Sequence, residues 1–338
     1  MAPRVSAIVR SHNYGRYIGQ AIDSLLEQRV PLEVLVIDDR STDDTREVLS
    51  RYAREPRVRV ILHDRNAGNI ATANEGFALA SGDVVTLVDA DDFCVAADAM
   101  ARQLEIFDAD ERVGMVYTAQ LYVDAAGRAF RTFVPWGSDY VRDGLVEFAD
   151  LAFRNYVSVS GTLVRREVLL AAGGFDADLP HAADWALWLR VAARSRVGYL
   201  AEPLYAYRVH GENMSVARHS PRRANGEIVR AVARGFDALP ASAPDELRRL
   251  RPIALRHVLL ATHWGDRGLG RTRRAWLGLF DAALRAPALL RERSFYLAFA
   301  RTLVLTGLGR ARYQRLASWR KARPMGGTAS ASFATKRG

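Results

Sequence analysis

The chain of 338 residues contains a single cysteine, Cys94. It can form no internal disulfide and has no neighbours at metal-ligand spacing, so a reducing compartment is expected. Long apolar runs are equally scarce. The nearest approach, residues 295–308, is interrupted by Arg301 and falls short of the roughly 20 apolar residues that a membrane-crossing helix needs. The first residues lead directly into a strand pattern, without the apolar centre of a secretory signal. A cytoplasmic location is the resulting expectation. Two glycine motifs are also missing. No Gly-x-Gly-x-x-Gly follows the first strand, which disfavours a dinucleotide-dependent dehydrogenase. No basic, glycine-rich phosphate loop lies between Val5 and Tyr14, which disfavours a sugar-phosphate nucleotidyltransferase. The chain has no internal repeats.

Charge is abundant but unevenly placed. Residues 218–338 carry 25 Lys and Arg against 7 Asp and Glu, a charge of +18; since the whole chain carries +10, residues 1–217 carry −8. An acidic front argues against nucleic acid as the main partner. A basic back suits an anionic surface such as phospholipid, and equally a solvated helical face.

The front follows an alternating pattern. Residues 4–9 and 32–37 are apolar and β-branched enough for buried strands, as are 58–62 and 84–88. Between them, residues 17–28, 45–54 and 69–80 have helical spacing or small-residue helical composition. A strand at 113–122 follows, then strands at 157–164, 197–199 and 204–209, with helices at 166–172 and around 184–193. Strand and helix in alternation imply an α/β fold with a mostly parallel sheet and helices on both faces. Ligands of such sheets sit at the carboxyl ends of the strands. After Ser215 the strand signal ends. Three regions are therefore expected: a catalytic domain over 1–217, a basic helical extension over 218–322, and a disordered Gly/Ser/Ala-rich tail over 323–338.

Two acidic clusters terminate strands. Asp89-Ala90-Asp91-Asp92 places three carboxylates in four residues. Such groups stay ionised together only when a cation or hydrogen-bond donors compensate. Oxygen-only ligands suit Mg²⁺ or Mn²⁺; an acidic helix start is the plainer alternative. Asp38-Asp39 ends another strand, where a carboxylate can accept from a base N–H or a ribose hydroxyl, or simply cap the turn that follows. Asp184 lies between Ala183 and Trp185. A carboxylate beside a large aromatic can be desolvated and kept basic, as a general base requires, although an N-cap aspartate has the same spacing. Arg208-Val209-His210 follows Tyr205 and Tyr207.

Seven segments in order resemble family 2 glycosyltransferases. They are Val5-Ser6-Ala7-Ile8-Val9 with Asn13-Tyr14, residues 36–45 around Asp38-Asp39, Asn66-Ala67-Gly68-Asn69, and Ala80-Ser81-Gly82-Asp83 with residues 87–92. Gly173-Gly174-Phe175-Asp176, residues 184–190, and Tyr207-Arg208-Val209-His210 with Asn213-Met214-Ser215 complete the set. The resemblance covers about residues 4–215. It implies a GT-A type, Rossmann-like sheet with a donor half over about 1–115 and an acceptor half over about 116–217. It implies an inverting, metal-dependent transfer from a nucleotide-diphosphate sugar to a sugar or lipid-linked glycan acceptor, in polysaccharide, lipopolysaccharide or other glycoconjugate synthesis. A non-catalytic nucleotide-sugar or glycan-binding module is the alternative on the same fold. By the family pattern Asp39 binds the base, Asp89 the ribose or the metal shell, and Asp91 the Mn²⁺ or Mg²⁺ directly. Asp184 is the base, and His210 completes the metal or diphosphate site. Ser11, Asn13, Asp38, Asn66, Gly68, Asn74 and Ala90 line the donor site, with Trp185 and Arg208 on the acceptor or diphosphate side. The sequence departs from the pattern at Arg10-Ser11, where Pro-Thr is usual, and at Arg40, where Gly is usual. Ala73 replaces an Arg and Ala183 a Glu.

The basic third suggests a position at the inner face of the plasma membrane. In residues 252–263, Ile253, Leu255, Val258, Leu259 and Leu260 share a segment with Arg256 and His257. Arginines beside apolar positions suit an interfacial helix whose long side chains reach phosphates; packing on the sheet or on a second copy accounts for the same pattern. At about 1 kcal/mol for each basic residue near an anionic leaflet, co-sedimentation with phosphatidylserine liposomes is expected at low salt and should weaken as salt rises. Absence of binding at low salt assigns these helices to packing.

Overall fold

The computed structural model describes residues 2–211, 213 and 221–268, with side chains in 221–225 and 260–268 excepted. The basic helices expected over 269–322 and the tail over 323–338 lie outside the described residues.

The front half builds the expected mostly parallel sheet. Strand β1 (Val5–Ser11) is followed by helix α1 (Gly15–Leu26), β2 (Leu32–Asp38), α2 (Thr45–Ser50), β3 (Val58–Leu62), α3 (Asn69–Leu79) and β4 (Val84–Asp89). These strands stand in the order β3-β2-β1-β4, all parallel. Alternation along β1 decides what covers each face. Val5, Ala7 and Val9 share a core with Ile18, Ile22 and Leu25 of α1. Ile8 points the other way, into a core with Ala73 and Phe77 of α3.

The sheet continues through β5 (Phe93–Cys94), α4 (Ala99–Ala109), β6 (Val113–Val123), β7 (Ala129–Phe133), β8 (Tyr140–Arg142), α5 (Gly144–Leu151), β9 (Leu163–Arg165), α6 (Arg166–Ala171), α7 (Ala183–Ala192) and β10 (Arg196–Arg208). Beyond β4 the order is β9-β6-β10-β5, with β9 antiparallel to both neighbours, β10 parallel to β6, and β7 and β8 attached at the side. The strand expected over 157–164 shrinks to the three residues of β9, because Gly161 takes φ +92° and turns the chain just before it. The two short strands expected at 197–199 and 204–209 are one strand, β10. Its register to β6 shifts on both sides of Pro203, a residue that cannot donate to the ladder. Strand β7 gave no pattern to read because nearly all of it is exposed.

Among the described residues three helices follow: α8 (Pro221–Asp237), α9 (Asp245–Arg249) and α10 (Arg251–Gly268). Val232 and Phe236 of α8, Leu247 of α9, and Ala254 and Val258 of α10 join the same core as α3 and α7. The change to all-helical structure is therefore not a break in packing. One compact unit extends to Val258, and a second, residues 259–338, contributes only the rest of α10 to the described residues.

Gly144 is a tight joint between backbones. A Cβ there would lie 1.9 Å from the Ser195 carbonyl oxygen and 2.1 Å from that of Ala192. Backbone oxygens at the end of α7 cannot yield as a flexible side chain would. Gly144→Ala should lose about 1–3 kcal/mol or more and melt several degrees lower in a calorimetric scan. Gly137, with nothing within 4 Å of its would-be Cβ, is the control, and Gly137→Ala should melt like the parent.

Candidate active site

The register of β1, β2 and β4 brings their carboxyl ends to one edge: Ser11 stands opposite Asp38, and Arg10 opposite Asp89. Asp38 is fully buried and turned inward. Its carboxylate accepts from Ser41 N at 3.2 Å on both oxygens and from Arg46 Nε at 3.1 Å, so it holds the turn rather than facing the cleft. That turn is tight. Arg40 adopts φ +60°, where glycine is at ease. Asn13, at φ +63°, ties the two loops together by accepting from Thr42 N at 2.7 Å and donating to Ser41 Oγ at 2.8 Å.

Asp39 is clamped. It accepts from Ala67 N at 2.7 Å, Gly68 N at 2.8 Å and His63 Nδ1 at 2.9 Å. Burial works to raise its pKa, but these donors outweigh burial and hold the carboxyl below the usual range. His63 also meets Glu75 Oε2 at 2.8 Å. Burial disfavours the imidazolium, yet the two carboxylates prevail and raise its pKa. His12 Nδ1 and Asn66 Nδ2 both reach the Asp39 carbonyl, at 2.8 and 3.3 Å. The buried Ser11 hydroxyl has no hydrogen-bond partner among the described residues.

Each acid of the second cluster has its own partner. Arg10 Nε and Nη2 both lie 2.9 Å from Asp89 Oδ1. Asp91 Oδ2 lies 2.9 Å from His210 Nε2 and accepts from Asn213 Nδ2 at 3.1 Å. Asp92 accepts from Arg208 N at 2.9 Å. Burial, then the charge of Asp89, raises the Asp91 carboxyl; burial, then Asp91 and Asp89, pushes Asp92 well up. Ala90 is buried between them.

No group of three His, Cys, Asp or Glu among the described residues is gathered to hold a metal. What converges is a pair, Asp91 and His210, while the Asp89 carboxylate is engaged by Arg10. A hard divalent cation commonly takes only one or two carboxylates and completes its shell with phosphate oxygens and water, so the pair fits a site that a phosphorylated ligand finishes.

Asp184 enters from the first turn of α7. It is partly buried and accepts from Asn155 Nδ2 at 2.9 Å. Burial raises its carboxyl despite opposing help from the Trp185 N–H, Asn155 and the nearby charge of Arg10. Such a group is a better base than an exposed aspartate.

Other expected contacts are structural. Trp185 donates from Nε1 to the Leu151 carbonyl at 2.7 Å within the core. Asn74 pairs both ends of its amide with the Phe175 backbone at 2.9 Å. Arg208 is buried between the rings of Tyr17 and Phe93, at 4.7 and 5.2 Å, and donates from Nε to the Asp91 carbonyl at 2.8 Å. It shapes the acidic turn from below. His63 and Asn155, by contrast, were not singled out from sequence. Neither sits in a local motif, since each meets its aspartate only through the fold.

Residues 6–154 match the model of glycosyl transferase family 2. Chondroitin synthase of Escherichia coli is 29% identical over 226 residues, 66% of this chain and 31% of that protein. Hyaluronan synthase of Pasteurella multocida is 29% identical over 231 residues, 67% of this chain and 22% of that protein. The chain thus spans less than a third of either synthase. Among solved structures, residues 1–349 of S. aureus TarS in complex with UDP-GlcNAc superpose with a TM-score of 0.66 at 22% identity, over 84% of this chain and 82% of that one. A mannosyltransferase from Pyrobaculum calidifontis in complex with GDP-Man and Mn²⁺ superposes with a TM-score of 0.58 at 22% identity, over 95% of this chain and 85% of that one.

The Asp39 clamp has a measurable sign. Its carboxyl is held below the ordinary 3.8, so its stabilisation is full above that value and lost as pH falls through the lower folded one. Asp39→Asn should cost about 1–3 kcal/mol at pH 7. The difference in melting temperature from the parent should shrink below pH 4. An equal difference at pH 3 and pH 7 would show that the carboxylate's charge is irrelevant.

Proposed function

We propose that this chain, whose residues 6–154 match glycosyl transferase family 2, moves a sugar from a nucleotide-diphosphate sugar to an acceptor hydroxyl with inversion. The observation that carries this is the pairing of two unlike carboxylate environments at one sheet edge. Asp39 is clamped and strongly ionised, as a fixed contact for a base or ribose requires. Asp184 is half-buried and kept basic, as a proton acceptor requires. The relatives support the class, since the two synthases are named for polysaccharides and the solved neighbours hold UDP-GlcNAc and GDP-Man.

In this reading the base lies against Asp39 and the loop from Asn66 to Gly68, and the diphosphate lies at the ends of β1 and β4. The acceptor hydroxyl approaches Asp184. As its oxygen attacks the anomeric carbon, Asp184 takes the proton, with Asn155 holding one carboxylate oxygen in place. One displacement with no carboxylate nucleophile inverts the anomeric centre. Asp91 and His210 would hold a divalent cation, Mn²⁺ or Mg²⁺, which when bound would supply positive charge against the diphosphate leaving group. The acceptor belongs to a polysaccharide or another glycoconjugate. Among the described residues no helix is long and apolar enough to cross a membrane, and attachment to an anionic leaflet through the basic C-terminal third remains part of the proposal.

A panel of UDP, GDP and dTDP sugars with simple glycan acceptors, read as nucleotide release with Mn²⁺ and with EDTA, tests the class. Release from no donor overturns it. Asp184→Asn should lower kcat by about 10²–10⁴-fold with donor KM little changed. Because the Asp184 carboxyl is raised, the acid limb of the parent's kcat profile should lie above the ordinary 3.8, with activity falling as pH drops through it. A near-normal kcat for the variant places the base elsewhere.

A further inference from the structure

Arg10 places a guanidinium at the end of β1, and the β1–β4 register puts it directly opposite Asp89. Two of its nitrogens lie 2.9 Å from the same oxygen, Asp89 Oδ1, and Nη1 donates to the Asn69 carbonyl at 3.3 Å. Its side chain is only 15% exposed. On β1 it follows Ile8 on the face covered by α3 and α7, the face from which Asp184 enters.

The consequences are electrostatic. Three carboxylates share the turn after β4, and each already has a compensating group: Arg10 for Asp89, His210 with Asn213 for Asp91, the Arg208 N–H for Asp92. The compensation of Asp89 is permanent, because a guanidinium does not lose its proton in proteins. Arg10 also lies beside the start of α3, the positive end of a helix whose N-cap, Gly68, has no side chain to offer. A cation there is welcome only with negative charge nearby. Asp89 supplies one charge. A guanidinium has five N–H donors, and the three contacts to Asp89 and Asn69 leave two of them. On the face that Arg10 shares with Ile8 the strand end therefore has donors to spare and is short of an anion.

We propose that Arg10 is a donor-binding residue: it withdraws Asp89 from any cation at Asp91 and His210, and it presents its remaining N–H groups to the diphosphate of the donor. This rests on the nucleotide-sugar reading above. It predicts a nucleoside-diphosphate site that holds part of its affinity without metal, and a cation site built from two protein ligands.

The test uses the full chain and titration calorimetry with UDP, GDP, ADP and dTDP, in EDTA and in Mn²⁺. Mn²⁺ alone is titrated by electron paramagnetic resonance. The parent should bind the preferred nucleotide in EDTA within about tenfold of its affinity in Mn²⁺. Arg10→Gln should bind that nucleotide at least tenfold more weakly in EDTA, and should bind Mn²⁺ alone at least tenfold more tightly because Asp89 is released. Arg10→Lys, which keeps the charge but not the two-nitrogen hold, should fall between and carries the test if the glutamine variant fails to fold. Three results overturn the proposal: no nucleotide binding by the parent in EDTA while it binds in Mn²⁺, parent-like nucleotide binding by the variants in EDTA, or unchanged Mn²⁺ affinity. A parent that binds none of the four nucleotides under either condition overturns the donor reading itself, and the role of Arg10 with it.

Discussion

Mutual repulsion among Asp89, Asp91 and Asp92 is the constraint around which this site is built. Three carboxylates on one buried turn cannot all be ionised without compensation. The chain meets the requirement with groups from four separate places: the end of β1, the loop before β9, the end of β10 and the segment just past it. Arg10 faces Asp89. The Ser160 hydroxyl accepts from the Asp89 N–H and also hydrogen-bonds Asp92. Arg208 donates to Asp92 and, from its side chain, to the Asp91 carbonyl. His210 and Asn213 close on Asp91. Remove the turn's charge problem and the reason for this convergence disappears.

The rigid surroundings of the cleft follow from the same need. Arg208 cannot serve a ligand, since it is buried between two rings and its N–H groups are held by backbone oxygens and Gln20. Its place is beneath the site. Asn74 ties α3 to the turn at Phe175, and Arg190 ties that turn to α7 through Asp176 at 2.6 Å. The helix carrying Asp184 is thus braced from behind. A second brace is the buried Glu147, which accepts from Tyr156 at 2.8 Å, Tyr140 at 2.9 Å and Arg142 at 2.6 Å. It fixes the segment from which Asn155 reaches Asp184. Positioning of this kind costs nothing at the moment of reaction, because the groups are already in place.

Unlike carboxylate environments give the site its division of labour. Asp39 receives two backbone N–H groups and a histidine and so remains an anion. Asp184 receives few donors in a partly apolar wall and so holds a proton more readily. The difference arises from hydrogen-bond count and burial, and neither is a property of aspartate itself.

Much of this was legible in the chain. Apolar strands that end in acids and helices with one apolar face were enough to expect a parallel sheet with Asp38, Asp39 and the Asp89–Asp92 cluster at its carboxyl edge, and the seven ordered segments added Asp184 and His210 by resemblance. These are local signals: period, charge and the residue type at a strand end. What the sequence could not decide was which acid meets which partner. Arg10 and Asp89 are neighbours only because β4 lies beside β1 in the sheet, with two strands intervening in the chain. His63 meets Asp39, and Asn155 meets Asp184, only across folded loops. Asn74, Trp185 and Arg208 have the right residue types for ligand contacts, yet their hydrogen bonds go to the scaffold. Composition and spacing determine which groups a chain brings to its sheet edge; the strand order and the burial it creates determine which of them are left facing the cleft, because hydrogen bonds form across space and not along the sequence.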